Sequence, residues 1–106
     1  MYIFLVRKTT EFDKWFRRLK DRKVRAKILF RIQRIEAGKL VDFDSVGEGI
    51  LELRIHCGSG FRIYLKQLDG NVILLLFGGD KSTQKRDIGR AKHILNMYNK
   101  SLNDDY

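Results

Sequence analysis

The spacing of apolar residues along the first half of the chain predicts one strand and two helices. Residues 2–7 combine aromatic and β-branched side chains, which is typical of a strand. Apolar side chains within 12–19 recur at helical spacing, and Thr10 is the predicted N-cap of that helix. A second amphipathic helix is predicted from Asp21, its N-cap, to near Gly38. The short break between them predicts an antiparallel helical hairpin whose aromatic stripe packs in the core.

The second half of the chain changes to the alternating period of strands and ends with a helix. After a loop over 39–49, three strands and a last helix are predicted, over Ile50–His56, Phe61–Gln67, Val72–Phe77 and from Ser82 or Thr83 to Tyr98. The order β-α-α-β-β-β-α is an α+β fold, an antiparallel sheet with an N-terminal helical hairpin and a C-terminal helix that cover one face. Residues 1–100 form the single predicted domain, and 101–106 a short polar tail.

Composition adds a strong positive charge to this picture. Lys and Arg number 22 against 13 Asp and Glu, a net charge of +9 in 106 residues, which predicts an anionic partner. The one cysteine, Cys57, excludes a disulfide framework and favours a reducing compartment. No stretch has the character of a signal peptide or a membrane span, so we expect a cytoplasmic protein without a membrane partner.

Alternation along the strands gathers basic and aromatic side chains on one face of the predicted sheet. A three-residue turn over 58–60 and a two-residue turn at Asp69-Gly70 keep apolar side chains opposite one another. The predicted cross-strand pairs are Glu52 with Lys66, Arg54 with Tyr64, His56 with Arg62, Arg62 with Phe77, and Tyr64 with Leu75. The same face is expected to carry an exposed apolar strip of Ile73, Leu75 and Phe77.

This basic face has two interpretations. Cations that hold phosphates, with rings that stack on bases, are typical of single-stranded RNA binding. An ordinary solvent face with cross-strand ion pairs is the alternative, and it accounts well for Glu52 and Lys66. It would leave Arg54, His56 and Arg62 repelling one another unless an anion lies between them. We therefore favour the interpretation as an RNA-binding face.

The corner between the last strand and the last helix predicts an anion site. Gly78-Gly79 lets a ligand approach the backbone, helix N-termini attract anions, and Lys81 and Lys85 add charge. The spacing of a phosphate-binding P-loop is absent. The chain's histidines and its cysteine do not have metal-ligand spacing, so neither a metal nor another cofactor is predicted.

The chain resembles the RelE/ParE-type toxins of bacterial toxin–antitoxin modules over three stretches, "FDKWFRRLKDRKVRAKILFRIQRIEAGKL", "VGEGILELRIHCGSGFRIYL" and "LLLFGGDKSTQKRDIGRA". It is most similar to their HigB-like branch, the phage-derived addiction module killer proteins. The resemblance covers nearly the whole chain, and it implies the same order of elements.

The resemblance also implies a function, that of a type II toxin. Many such toxins are metal-independent endoribonucleases that cut messenger RNA in the ribosomal A site and stop translation, with the 2′-hydroxyl as nucleophile. ParE-like members inhibit DNA gyrase without being enzymes. A cognate antitoxin, often a helix-turn-helix protein, neutralises either kind in a hetero-oligomeric complex.

The resemblance also implies roles for individual residues that match the family's motifs by position. Arg62 matches the arginine that the nuclease members use on the scissile phosphate, and Arg54 matches a basic position on the preceding strand. Lys81 and Lys85 match the lysines after the last strand. His56 is a further candidate, because it lies on the same predicted face and histidine exchanges protons near neutrality. The candidate catalytic residues are Arg62, Arg54, His56, Tyr64 and Lys81, and the candidate RNA-binding residues are Lys66, Phe77 and Lys85.

Three functions stay open at this point. A ribosome-dependent endoribonuclease would use Arg62 on the phosphate, with His56 or Tyr64 handling protons. A gyrase inhibitor would need a protein-binding surface but no phosphate-binding arginine. A plain RNA- or DNA-binding module would bind in a strongly salt-dependent way without cleavage. The basic face favours the endoribonuclease.

Overall fold

A computed structural model describes residues 3–104 of the chain. The elements in chain order are β1 (Leu5–Lys8), α1 (Thr10–Arg18), α2 (Arg22–Glu36), β2 (Phe43–Ser45), β3 (Ile50–Ile55), β4 (Phe61–Gln67), β5 (Val72–Asp80), a 3-10 turn (Lys81–Thr83) and α3 (Gln84–Asp104). One five-stranded sheet has the order β1-β5-β4-β3-β2. The α+β class is confirmed, and the predicted element order gains one short strand, β2.

The strand β2 lies in the segment that was predicted to be a loop. All three of its side chains are exposed, so no alternation of apolar and polar residues marks it. At the other edge of the sheet β1 runs parallel to β5, with Leu5 opposite Val72, while the remaining pairs are antiparallel. The sheet is therefore mixed rather than wholly antiparallel. Within residues 3–104 no helix combines the length and apolar character that crossing a bilayer requires.

The helix boundaries differ from the prediction at three places. The third helix begins at Gln84, after the 3-10 turn, and not at Ser82 or Thr83. Thr9, not Thr10, caps α1, and its hydroxyl accepts a hydrogen bond from the N–H of Phe12 at 3.0 Å. Asp21 caps α2 as predicted. The third helix continues past Tyr98, so 101–104, predicted as tail, are helical. Of the segments predicted at the two ends, Tyr2, Asp105 and Tyr106 lie outside the described residues.

Helices cover both faces of the sheet, which corrects the expectation of a single covered face. On one face α1 and α2 pack against the strands, and on the other α3 does so through Ala91, Ile94 and Leu95. The run 72–77 is apolar at every position, which is typical of a strand buried on both sides. The predicted exposed strip is therefore wrong, because Ile73 and Leu75 are fully buried beneath α1 and α2.

The strand pairing differs from the predicted register by two residues near the corner. Because the β3–β4 loop spans 56–60, Arg54 lies opposite Arg62 and Glu52 opposite Tyr64. A shift of two residues keeps each side chain of β3 and β4 on its predicted face, so the grouping of these two strands by face is right although the pairs are wrong.

The predicted two-residue turn at Asp69-Gly70 is wrong, because Leu68 donates its N–H to the carbonyl of Val72 and the turn spans three residues, 69–71. This longer turn and a bulge in β5 each move the register by one residue, so Gly79, not Phe77, lies opposite Arg62, and Phe77 lies opposite Tyr64. Between the turn and the bulge the shift in β5 is one residue, so Ile73 and Leu75 lie on the face opposite to Tyr64 and not beside it as predicted.

Two adjacent glycines of β5 let helices approach the sheet from both sides. A Cβ at Gly78 would lie 2.3 Å from the ring of Trp15 in α1. A Cβ at Gly79 would lie 1.9 Å from Oδ2 of Asp87 in α3. The pair thus serves packing on both faces of the strand, and both glycines are buried and not open to a ligand as predicted.

We expect Gly78→Ala to lower the free energy of unfolding by about 1–3 kcal/mol, since the new methyl group overlaps the indole of Trp15. Gly89→Ala is the control, because its added Cβ meets nothing within 4 Å in α3. It should raise stability by about 0.5–1 kcal/mol. Urea unfolding followed by circular dichroism measures both, and equal midpoints for the two variants would contradict the packing described for Gly78.

Candidate functional site

An open cleft of about 390 Å³ lies where the β3–β4 loop meets the corner after β5. Four of the predicted catalytic side chains line it together with residues of that loop: Arg54, His56, Arg62 and Lys81. The N–H of Lys81 donates a hydrogen bond to the carbonyl of Gly60 at 3.1 Å. That bond fixes the corner against the loop, so the cleft is formed by the backbone itself.

Arg62 is held in the cleft by a buried acid. Its side chain is 12% exposed, and its Nε lies 3.4 Å from Oε1 of Glu52, which is 2% exposed. Gln84, at the start of α3, donates its side-chain amide to both Glu52 oxygens at 3.0 and 2.9 Å. A buried carboxylate needs such partners. The contact with Arg62 is an ion pair and not a hydrogen bond, because Nε of Arg62 has no hydrogen-bond partner among the described residues. The predicted pair of Glu52 with Lys66 is wrong.

Arg54 and His56 are also paired with acids, from the edge of the sheet. Oδ1 of Asp42 accepts from Nε and Nη2 of Arg54 at 3.2 and 3.1 Å, and Nη1 of Arg54 bonds to Asp44. Oδ2 of Asp42 bonds to Nε2 of His56. The hydrogen bond from His56, followed by that from Arg54, lowers the pKa of Asp42. The hydrogen bonds to Asp44 and then Asp42 raise the pKa of Arg54.

These acids remove the repulsion that was expected among Arg54, His56 and Arg62. These three side chains were expected to need an external anion, whereas each of them is already paired with an acid of the protein, Asp42, Asp44 or Glu52. Lys81 differs from them. It is exposed and forms no ion pair among the residues that the structure describes.

Tyr64 does not lie on an exposed face as predicted. It is fully buried beneath α3, because the helix covers the part of the face that carries it. Burial is the main cause that raises the pKa of its phenol, and the nearby Glu52 carboxylate raises it further. The hydroxyl has no hydrogen-bond partner among the described residues. A side chain in this position does not reach the cleft.

The three predicted RNA-binding residues also lie outside the cleft. Lys66, at the far end of β4, donates a hydrogen bond to the carbonyl of Glu48 at 3.3 Å. Phe77 is half-buried, with the guanidinium carbon of Arg90 5.6 Å from its ring centroid. Lys85 is exposed on the first turn of α3.

Sequence reasoning missed four residues that shape the cleft: Asp42, Asp44, Glu52 and Gln84. The pattern Asp-x-Asp over 42–44 was visible, but no signal linked it to β3 across the loop between them. Gln84 carried no signal. Within residues 3–104 no group of three or more His, Cys, Asp or Glu side chains is arranged to hold a metal ion.

The fold is that of RelE toxins. An E. coli toxin RelE, a double mutant in the free state, matches with a TM-score of 0.62 at 15% identity, over 83% of this chain and 90% of that one. The toxin–antitoxin complex RelBE2 of Mycobacterium tuberculosis contains a chain that matches with a TM-score of 0.58 at 18% identity. That match covers 74% of this chain and 98% of the other. The two likenesses define the class of protein, an α+β domain with the RelE-like fold.

The sequence identifies the family within that class. The model of the phage-derived Gp49-like proteins matches residues 14–99, and the chain belongs to this family. An uncharacterized protein of Haemophilus influenzae Rd is 48% identical over 87 residues, which are 82% of this chain and 88% of the relative.

Tyr64 predicts a specific loss of stability at alkaline pH. Above a pH of about 10 a tyrosine of the unfolded chain loses its proton, whereas Tyr64 in the folded protein keeps it. The folded state then binds more protons than the unfolded state, so stability falls as the pH rises. Tyr64→Phe removes this contribution and should lose less stability than wild type between about pH 9 and about pH 11.

Urea unfolding at those pH values measures the difference. At neutral pH the variant should stay within about 1 kcal/mol of wild type, since the lost hydroxyl has no hydrogen-bond partner among residues 3–104. The same pH dependence in both proteins would contradict the raised pKa of Tyr64.

Proposed function

We propose that this protein is the toxin of a type II toxin–antitoxin module, of the HigB-like branch, and that it is a metal-independent endoribonuclease of messenger RNA on the ribosome. The observation that carries the proposal is the cleft in which Arg62, paired with Glu52, lies with the exposed Lys81. The RelE-like fold and the residue matches of the sequence support it.

In this proposal the scissile phosphate binds between Arg62 and Lys81. The 2′-hydroxyl attacks the adjacent phosphorus, and the two cations stabilise the charge that develops on the phosphate oxygens. The guanidinium suits the phosphate because its fork donates two parallel hydrogen bonds. Arg54 assists from the side, since it is already bound to Asp42 and Asp44. Any contact of Lys66, Phe77 or Lys85 with RNA lies outside the cleft.

An antitoxin is the proposed partner besides the ribosome, and the cytoplasm is the proposed location of both. One of the structures with this fold is a toxin–antitoxin complex. A net charge of +9 makes an acidic antitoxin surface a favourable partner in the resulting hetero-oligomer. We propose a helix-turn-helix antitoxin only because the sequence resembles the RelE/ParE-type toxins, whose antitoxins are often of that kind.

Primer extension on cellular messenger RNA after brief induction tests the activity. Wild type should produce new 5′ ends inside translated codons. Arg62→Ala should lower the cleavage rate roughly 10²–10³-fold, the cost of losing one preorganised transition-state donor. Because this change leaves Glu52 without its cation, Arg62→Lys is measured beside it. That variant keeps the buried charge pair and loses only the guanidinium fork, so it should fold and cleave slowly.

Three results would contradict the proposal. Cleavage by a folded Arg62→Ala protein within a few-fold of wild type would remove Arg62 from the mechanism. Growth arrest with intact messenger RNA and accumulated DNA-cleavage complexes would instead identify a gyrase inhibitor. Binding to nucleic acid without cleavage or arrest would identify a plain binding module.

Lys81 and Lys85 offer a matched pair of substitutions on the same segment. Both are exposed lysines, but only Lys81 lines the cleft. Lys81→Ala should lower the cleavage rate about 10- to 100-fold, the cost of a charge-assisted hydrogen bond to phosphate. Lys85→Ala should change it by less than about fivefold, as expected for an exposed charge. In vitro cleavage on programmed ribosomes measures both, and a larger loss for Lys85→Ala would move the phosphate site onto α3.

A further inference from the structure

Asp42 is held beside the cleft in an unusual backbone conformation. Its φ is 59°, in the left-handed region that few residues other than glycine adopt. Its carbonyl accepts a hydrogen bond from the N–H of Arg54 at 3.0 Å. Arg31 of α2 donates to the carbonyls of Val41 and Arg54 at 2.8 and 2.7 Å. The segment is thus fastened to α2 and β3, which hold Asp42 in that conformation.

The two carboxylate oxygens of Asp42 contact two different side chains of the cleft. Oδ1 accepts from Arg54, and Oδ2 is bonded to Nε2 of His56. An ionised carboxylate only accepts hydrogen bonds, so Nε2 of His56 must carry a hydrogen. In a neutral imidazole this leaves Nδ1 as the acceptor. The ring is 75% exposed and lines the cleft, so Nδ1 is open to a ligand.

We infer that Asp42 is a positioning residue, which fixes His56 as the Nε2–H tautomer and so presents Nδ1 as the proton acceptor of the cleavage. The inference rests on the proposed function and supplies the proton acceptor that sequence reasoning left open. The 2′-hydroxyl proton passes to Nδ1 while the 2′-oxygen bonds to phosphorus. The bond from phosphorus to the 5′-oxygen breaks, and that oxygen takes a proton from water. The hydroxide left behind takes the proton that Nδ1 gained, which returns His56 to its neutral form. The products are a 2′,3′-cyclic phosphate and a 5′-hydroxyl.

Charged side chains from α2, the edge strand β2 and the walls of the cleft surround His56. Lys27 of α2 has its Nζ 3.5 Å from the His56 carbonyl. The other charged groups of this region are Asp42, Asp44, Arg54, Arg62 and Lys81. Asp42 alone among the two acids bonds to the ring, whereas Asp44 bonds only to Arg54. Asp44 therefore provides the control, since Asp44→Asn removes one negative charge beside Arg54 and leaves the hydrogen bond between Asp42 and His56 in place.

The test follows the two ring nitrogens of His56 by ¹⁵N NMR in the free protein. The chain has two histidines, and the exposed His93 of α3 is the internal reference. Wild type and Asp44→Asn should show His56 with hydrogen on Nε2. Asp42→Gly suits the positive φ and removes the carboxylate, so the tautomer bias should disappear. Asp42→Asn keeps an acceptor oxygen and should restore part of the bias.

Cleavage on programmed ribosomes is measured with the same variants. Asp42→Gly should lower the single-turnover rate about 10²-fold, on the scale of losing general base catalysis, with apparent RNA affinity within about twofold of wild type. The loss in Asp44→Asn measures the share of Arg54, and Asp42→Gly should exceed it. A tautomer bias that is absent in wild type, or that persists in Asp42→Gly, overturns the inference. So does an unchanged rate in Asp42→Gly. A wild-type protein that keeps the bias but cleaves no RNA overturns the proposed function, and the proton-acceptor role with it.

Discussion

The buried charge of Glu52 is the constraint on which the corner of this protein depends. A carboxylate that is 2% exposed must be compensated, and it is met by Gln84 from α3 and by Arg62 from β4. One carboxylate therefore joins the start of the last helix to the arginine of the cleft. The packing of α3 and the geometry of the cleft therefore depend on the same buried side chain.

Much of the fold was predictable because it depends on local patterns. The apolar spacing gave both N-terminal helices, Asp21 as a cap, and the strands β3 and β4 almost to the residue. The length of a loop and the position of a bulge depend on contacts between distant residues, and the register was wrong for that reason. The uniformly apolar β5 reads as a strand but does not tell which helices cover it, so α3 was assigned to the wrong face.

The candidate site was predictable in its cations and not in its acids. Face alternation survives a shift of two residues, so Arg54 and Arg62 still lie side by side, and Lys81 follows from the chain direction. Asp42 and Asp44 lie just before and within β2, a strand without alternation that a loop separates from β3. Their ion pairs with Arg54 and His56 occupy these side chains when no ligand is bound. A phosphate entering the cleft must compete with aspartates for Arg54, whereas Lys81 has no such competitor among the described residues.

The acids at the edge of the sheet have a second consequence, for solubility. The strand β2 is the outermost strand on its side, and a free strand edge is a template on which another chain can pair. Short length and charge suppress such pairing, and β2 has three exposed residues, with Asp44 in its middle and Asp42 just before it. The residues that compensate the cleft therefore also discourage edge-to-edge aggregation. A chain stripped of them to strengthen anion binding would become more prone to self-association.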